Sequence, residues 1–335
     1  ARVTVLGVPD VPGKSKQIFS AIANRKIAVD MVVQNIGKEG RADISFTVPR
    51  SELTTTLEAV DSVLEKVGAH RVTHDAEVSK ISVVGLNMAA QTNVAAKMFR
   101  SLADAGVNIQ MITTSEIKIS ALVSKTDASY ALRTVHQAFG LHSRPDDAKT
   151  WDEIQAERDG GTDVDALVSR LQDDALEALT LTGISVTENQ ARITIHGVPD
   201  RFGIAAEMFE TIGRVGLFVD MIVQGNDGEG DTTSVSFTVD AKEMEQAVAI
   251  ARKIQAQHSM GDVQSCGQIA KVTVSGIGLR SHTNVATKLF DQLASADINV
   301  EMINTSELQV NAVIQSQHLE TATERLREAF SDSLR

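Results

Sequence analysis

One cysteine, Cys266, among 335 residues excludes an internal disulfide and any zinc site built on paired cysteines. Aromatic residues make up 4%, with one Trp and one Tyr, so the cores must be built from Val, Ile, Leu, Ala, Met and ten Phe. No apolar run approaches the ~18 residues that span a bilayer. No basic stretch leading into an apolar one marks a signal peptide at the N-terminus. Basic residues are in deficit: 32 Lys and Arg stand against 44 Asp and Glu, for a net charge of -12. Nucleic acid and anionic membrane are thereby excluded as main partners, since both need a dense basic surface. A reducing cytoplasm is the expected setting. The 42% hydrophobic and 23% charged fractions are those of a folded globular chain.

What the sequence has instead is repetition. Arg2-Val-Thr-Val-Leu-Gly-Val-Pro-Asp10 recurs as Arg192-Ile-Thr-Ile-His-Gly-Val-Pro-Asp200. Val29-Asp-Met-Val-Val-Gln34 recurs as Val219-Asp-Met-Ile-Val-Gln224, Ser45–Val48 as Ser236–Val239, and Thr114-Ser-Glu116 as Thr305-Ser-Glu307. A unit of about 140 residues is duplicated. Each unit is itself double: Val3–Gly7 can be laid on Ile81–Gly85, Phe19 on Phe99, and Val29–Val32 on Ile109–Ile112. The chain therefore divides into four modules, 1–78, 79–141, 181–269 and 270–335, with an acidic linker at 142–180.

Within the first module, Val3–Gly7 alternates like a half-buried strand. Ile18, Phe19, Ile22 and Ala23 then recur at helical spacing. Ala28–Gln34 and Ala42–Val48 read as strands around a glycine turn. Leu53, Leu57, Val60, Leu64 and Val67 mark a second helix, and His70–Asp75 a last strand. The second module repeats the order with strands 80–86, 107–113 and 116–123 and helices 93–105 and 127–138. The order predicts an α+β fold: four ferredoxin-like βαββαβ domains in two tandem pairs, helices on one face of each antiparallel sheet. The linker predicts helices over 148–157 and 164–179, with Trp151 as an anchor.

The fold alone does not give a function. RNA recognition needs aromatics on the central strands, which here carry Val, Met and Ile. A metal carrier needs clustered ligands, and the eight histidines are dispersed. The remaining class is the small-molecule regulatory module. Gly-Val-Pro-Asp-x-Pro-Gly, then Val-Asp-Met-Val-Val-Gln-Asn and Asp-Ile-Ser-Phe-Thr-Val, resembles the first ACT domain of aspartate kinases. Val107–Ser120 resembles the second, and both signatures occur twice.

The resemblance implies the regulatory region of an aspartate kinase, binding lysine or threonine at ACT–ACT interfaces for feedback inhibition. No phosphate-cradling glycine loop leads from a strand into a helix. The chain alone is expected to be non-catalytic and to need no cofactor; ATP and magnesium would belong to a kinase catalytic domain, its expected partner. A homodimer through the ACT domains is also expected, because sheet edges carry unpaired backbone groups. The alternative is a stand-alone amino-acid sensor or scaffold. Leu181–Gln190 precedes the second half as a strand and turn, whereas the first half begins directly at Arg2. The expectation is a fragment or product of a longer chain, with that strand pairing with the first ACT sheet of its half.

A free amino acid presents a carboxylate, which backbone N–H groups at a helix start can bind, and an ammonium, which needs carboxylate or amide oxygens. The resemblance assigns these roles to Asp10, Gly13, Asp30 and Gln34 in the first module and to Asn108 and Ile109 in the second. Their counterparts in the second half are Asp200, Gly203, Asp220, Gln224, Asn299 and Val300. Asp30 and Gln34, four apart on a strand, are expected to point the same way. Modules one and two are expected to pair, as are three and four. Phe202 in place of Pro12, and an extra residue after Gln224, make the two halves unequal.

Overall fold

The computed structural model describes residues 1–36, 40–85, 92–115, 118–143, 180–226, 232–279, 284–306 and 308–331. The expected linker helices, Trp151, Glu116 and Glu307 lie outside them. The first domain follows the expected order: β1 (Arg2–Pro9), α1 (Lys14–Ala23), β2 (Val32–Ile36), β3 (Arg41–Thr47), α2 (Leu53–Val67) and β4 (Arg71–Asp75). Its strands lie side by side as β4-β1-β3-β2, the ferredoxin-like arrangement. The second domain has β5 (Val78–Val84), α3 (Thr92–Asp104), β6 (Met111–Ser115), β7 (Lys118–Ser124) and α4 (Ala128–Ala138).

The second half carries β8 (Thr180–Pro199), α5 (Ile204–Arg214), β9 (Ile222–Asn226), β10 (Thr232–Asp240), α6 (Met244–His258) and β11 (Val263–Ile277). It ends with α7 (Asn284–Ser295), β12 (Met302–Thr305), β13 (Gln309–Gln315) and α8 (Leu319–Phe330). β2, β6, β9 and β12 all start later than alternation alone suggests. Asp30 N and Thr47 O still meet at 3.0 Å, but Met31 N is taken by the Thr47 hydroxyl at 3.1 Å, and the regular ladder forms only from Val32.

Domain pairing departs from chain order. The first domain joins the fourth through β2 and β12, where Gln34 faces Ile303 and Val33 faces Asn304. The second joins the third through β6 and β9, where Ile112 faces Gln224 and Thr113 faces Val223. Two apolar cores follow this division. One draws on domains one and four, with Phe19 and Phe290 at 5.6 Å between ring centres. The other draws on domains two and three, with Phe99 and Phe209 at 5.5 Å. Each of these buried rings contributes roughly 1.5–3 kcal/mol by burial, so the seams are as much core as interface. The pairing of neighbours expected from the sequence is thus corrected: both pairs form within the chain, but as one-with-four and two-with-three.

Two long strands explain how the chain closes this way. β8 runs as one strand with Asn189 at φ 55°, in the left-handed region that asparagine tolerates. Before that bend, Thr180–Gln190 pairs with Ile269–Ile277 of β11; beyond it, Arg192–Ile195 pairs with Val263–Cys266. The early part of β8 is therefore the edge strand of the fourth domain, and the early part of β11 completes the third. The strand expected to serve the first domain of its half serves the second one instead. Leu181, fully buried, belongs to the core of domains one and four.

Among the described residues, thirteen strands run in hydrogen-bonded order β4-β1-β3-β2-β12-β13-β11-β8-β10-β9-β6-β7-β5. The ribbon of β8 and β11 crosses between two half-sheets, whose helix-free faces meet. There Met31, Val33, Met111, Leu122, Met221, Val223, Ile269, Met302 and Val313, from all four domains, form a third core. Asn35 donates to Ser234 O at 3.2 Å across this face and accepts from the Ser236 hydroxyl. Among the described residues, no helix is long and apolar enough to cross a membrane, and no group of His, Cys, Asp and Glu could hold a metal ion.

Candidate functional site

Both seams bring the same residues together. At the first, the loop after β1 turns into α1 through Gly13, whose φ of 86° is costly for any residue with a Cβ. The first-turn N–H groups of α1 have no intrahelical acceptor, and no acidic side chain stands in that turn. Gln34, on β2 and 4% exposed, donates from Nε2 to Val300 O at 2.7 Å, and its Oε1 accepts from the Ser15 hydroxyl at 2.6 Å. Asn299 Nδ2 donates to Asp10 Oδ1 at 2.9 Å and also approaches Asp10 O at 3.5 Å. Asp10, Gly13, Gln34, Asn299 and Val300 thus converge from domains one and four.

The second seam repeats the pattern from domains three and two. Gly203 starts α5 at φ 93°. Gln224 Nε2 donates to Ile109 O at 3.2 Å, and Asn108 Nδ2 donates to Asp200 Oδ1 at 2.8 Å. A shallow cleft lies here, lined among others by Asn108, Asp200, Phe202, Gly203 and Gln224. In each seam an Asn–Asp hydrogen bond links the loop of one domain to the strand entry of the other. A charged ligand entering there competes for the same groups. At the opposite end of the first seam, Thr305 takes the place that Gln34 has on β2. Its hydroxyl donates to Asp30 O at 2.7 Å and accepts from Val32 N at 3.0 Å. Thr114 does the same for Ile222 N at 3.0 Å.

Asp30 and Asp220 are not brought into these clusters. The Asp30 carboxylate pairs with Lys80 of the second domain, and Asp220 with Lys271 of the fourth. The alternation that would align Asp30 with Gln34 fails because the ladder begins only at Val32. These two carboxylates instead join one domain pair to the other.

Ser15 and Arg192 belong to the site, and sequence reasoning missed both. Arg192 opens the repeat of Arg2 and was visible as a charge at a strand start. It is 7% exposed, and its Nη1 lies 2.8 Å from Glu301 Oε2. That contact is an ion pair without hydrogen-bond alignment, since neither atom makes a hydrogen bond. Glu301 also accepts from Gln315. Because Glu301 follows Val300 directly, a cation of one domain pair is coupled to the seam of the other. Between the helices of the second seam, Arg100 grips Glu210 through two bonds of 2.6 and 2.7 Å joining α3 and α5, which holds the Glu210 carboxyl below the usual range.

Burial pushes the Asp10 carboxyl above the ordinary carboxylate range, against the Asn299 hydrogen bond and the Arg192 charge, which both lower it. A raised value in the folded state means that folding favours the protonated form. The cost of the buried carboxylate is then fully present at neutral pH and fades as pH falls through the raised value. Asp10→Asn is expected to gain stability relative to the unaltered chain at neutral pH and to lose the advantage in acid. Thermal melts across the mildly acidic range check this; a gap that stays constant with pH would contradict it.

The sequence profile of the ACT domain matches residues 3–64, 81–139, 193–253 and 272–330. The aspartokinase of Mycolicibacterium smegmatis is 40% identical over 143 residues, which is 42% of this chain and 34% of that protein. The aspartate kinase of Pseudomonas fluorescens is 39% identical over 141 residues, again 42% and 34%. The chain therefore spans about a third of the length of these curated relatives. The crystal structure of aspartate kinase from Synechocystis superposes with a TM-score of 0.84 at 30% identity, over 98% of this chain and 54% of that one.

Proposed function

Because the chain belongs to the ACT domain family, we propose that it is the effector-binding regulatory region of an aspartate kinase, with the two seams as its amino-acid sites. The observation that carries this is the convergence, twice, of an Asp, a left-handed Gly at a helix start and a buried Gln from one domain upon an Asn and a backbone carbonyl from another. The helix start suits an α-carboxylate, and the Asp and Gln oxygens suit an ammonium. Lysine and threonine, end products of the pathway that such a kinase would open, are the proposed effectors.

In this reading the ligand binds one relative arrangement of the paired domains better than another, and that difference is all it can transmit. The kinase catalytic domain that receives the signal, with ATP and magnesium, is part of the proposal. So is self-association through the sheet edges at β4 and β5.

Titration calorimetry with lysine and threonine, singly and together, tests the reading. Binding is expected in the micromolar to millimolar range, and Gln34→Ala is expected to weaken the first seam by about 1–3 kcal/mol. No heat with either amino acid on a folded sample would refute effector binding. An intact fold with unchanged affinity in Gln34→Ala would refute the site.

A further inference from the structure

Large apolar side chains stand exposed at nine places among the described residues, and three of them fall between 130 and 141. Tyr130 is 53% exposed, Leu132 57% and Leu141 62%. All belong to α4 and the turn that ends it. The helix closes with Gly140 at φ 70°, whose N–H bonds to Gln137 O, while that of Leu141 bonds to His136 O, both at 3.0 Å. Such a closure commonly tucks the apolar residue after the glycine against the helix; here Leu141 stays exposed. By helical spacing, Tyr130 and Leu141 border the outer face on one side and Leu132 on the other, with Arg133, His136 and Gln137 between them.

The fourth domain supplies an internal control. α8 repeats α4: Ala131 and Val135 are buried as Ala322 and Leu326 are, and Lys97 lies over Phe139 at 4.9 Å as Lys288 lies over Phe330 at 5.0 Å. Yet α8 has Thr321 and Thr323 where α4 has Tyr130 and Leu132, and Asp332 stands where the turn has Leu141. Charge differs too. α8 carries Glu320, Glu324 and Glu328 with two arginines, whereas α4 has Arg133 and His136 and no carboxylate. The fold therefore does not require this face to be apolar or free of acids.

We propose that the outer face of α4 is the docking site of the chain's own linker, residues 144–179. The linker starts three residues after Leu141, and such tethering gives a local concentration in the roughly millimolar range. It has eleven Asp and Glu against four Lys and Arg, which complements a face with basic side chains only. Val164, Leu167, Val168, Leu171 and Ala175 recur at the spacing of one helix side, flanked by Asp163, Asp165, Asp173 and Asp174. The apolar stripe suits Tyr130, Leu132 and Leu141, and the acids suit Arg133 and a protonated His136. Docking here is independent of any ligand at the seams.

Trypsin digestion of the 335-residue chain tests this, because cleavage at Arg158 and Arg170 samples the undocked linker. Tyr130→Thr, Leu132→Thr and Leu141→Asp together give α4 the residues that its counterpart already carries, and a thermal melt verifies the fold. This variant is expected to be cut at both arginines about ten times faster than the unaltered chain. In the reverse direction, Leu167→Ser with Leu171→Ser is expected to speed hydrogen exchange along α4. Equal cleavage rates, or exchange along α4 that ignores the linker substitutions, would overturn the assignment. So would sedimentation showing a self-associated chain that the α4 substitutions make monomeric without altering cleavage, since a second copy would then be the occupant.

Discussion

Cut at the linker into 1–145 and 178–335, the chain is expected to lose amino-acid binding in both pieces and to recover it when they are mixed. Each seam draws one domain from each half, so neither piece holds a complete site. The N-terminal piece has Asp10 and Gln34 but not Asn299 and Val300; it has Asn108 and Ile109 but not Asp200 and Gln224. Each piece would also expose half of two cores, including the faces of Phe19 and Phe99 that meet Phe290 and Phe209. Apolar surface of that extent drives association, so the pieces alone are expected to self-associate. Sedimentation and calorimetry on the separate and mixed halves decide the matter. A monomeric half that binds with the affinity of the whole chain would show that the seams are not the sites.

Arg192→Ala is expected to cost about 3–5 kcal/mol of stability, because it strands Glu301 as a buried, uncompensated charge. Glu301 is 7% exposed and, among the described residues, keeps only Gln315 as a side-chain donor. Replacing both ions, Arg192→Met with Glu301→Leu, should recover most of the loss, since a buried pair gains little over apolar packing. Denaturant melts of the single and double variants measure this. A single variant within about 1 kcal/mol of the unaltered chain would mean that water reaches Glu301, and the proposed coupling of one domain pair to the seam of the other would fall. By contrast, the Lys125–Glu77 pair, roughly half exposed on both sides, is expected to contribute little.

The repeats made four domains and their element order legible, because hydrophobic period and turn residues are local properties. Asp10, Gly13, Gln34, Asn108, Asn299 and their counterparts were legible through the family resemblance, which places them at the helix start and on the second strand of each module. The partner of each domain was not. All four modules carry the same seam pattern, so nothing local distinguishes a one-with-two pairing from one-with-four. That choice depends on β8 and β11, whose pairing spans residues more than 60 apart and splits each strand between two domains. Asp30 and Asp220 were misplaced for a related reason. The seam interrupts the ladder, and strand alternation cannot be carried across an interruption. Ser15 was hidden by its ordinariness, since a polar residue in a first helical turn needs no partner; only the bond to Gln34 gives it a role.

The interlaced pairing also has a consequence for inheritance. Were a two-domain chain to assemble with a second copy of itself, both seams would be encoded by one stretch of gene, and every substitution would appear at both. Here the first seam is written in residues 10–34 and 299–300, the second in 108–109 and 200–224. No codon is shared. Ser15 could become different from Ala205, and Pro12 from Phe202, without either change being imposed on the other site. Tandem fusion thus releases the two sites from enforced identity, and one polypeptide can evolve two separate chemical preferences.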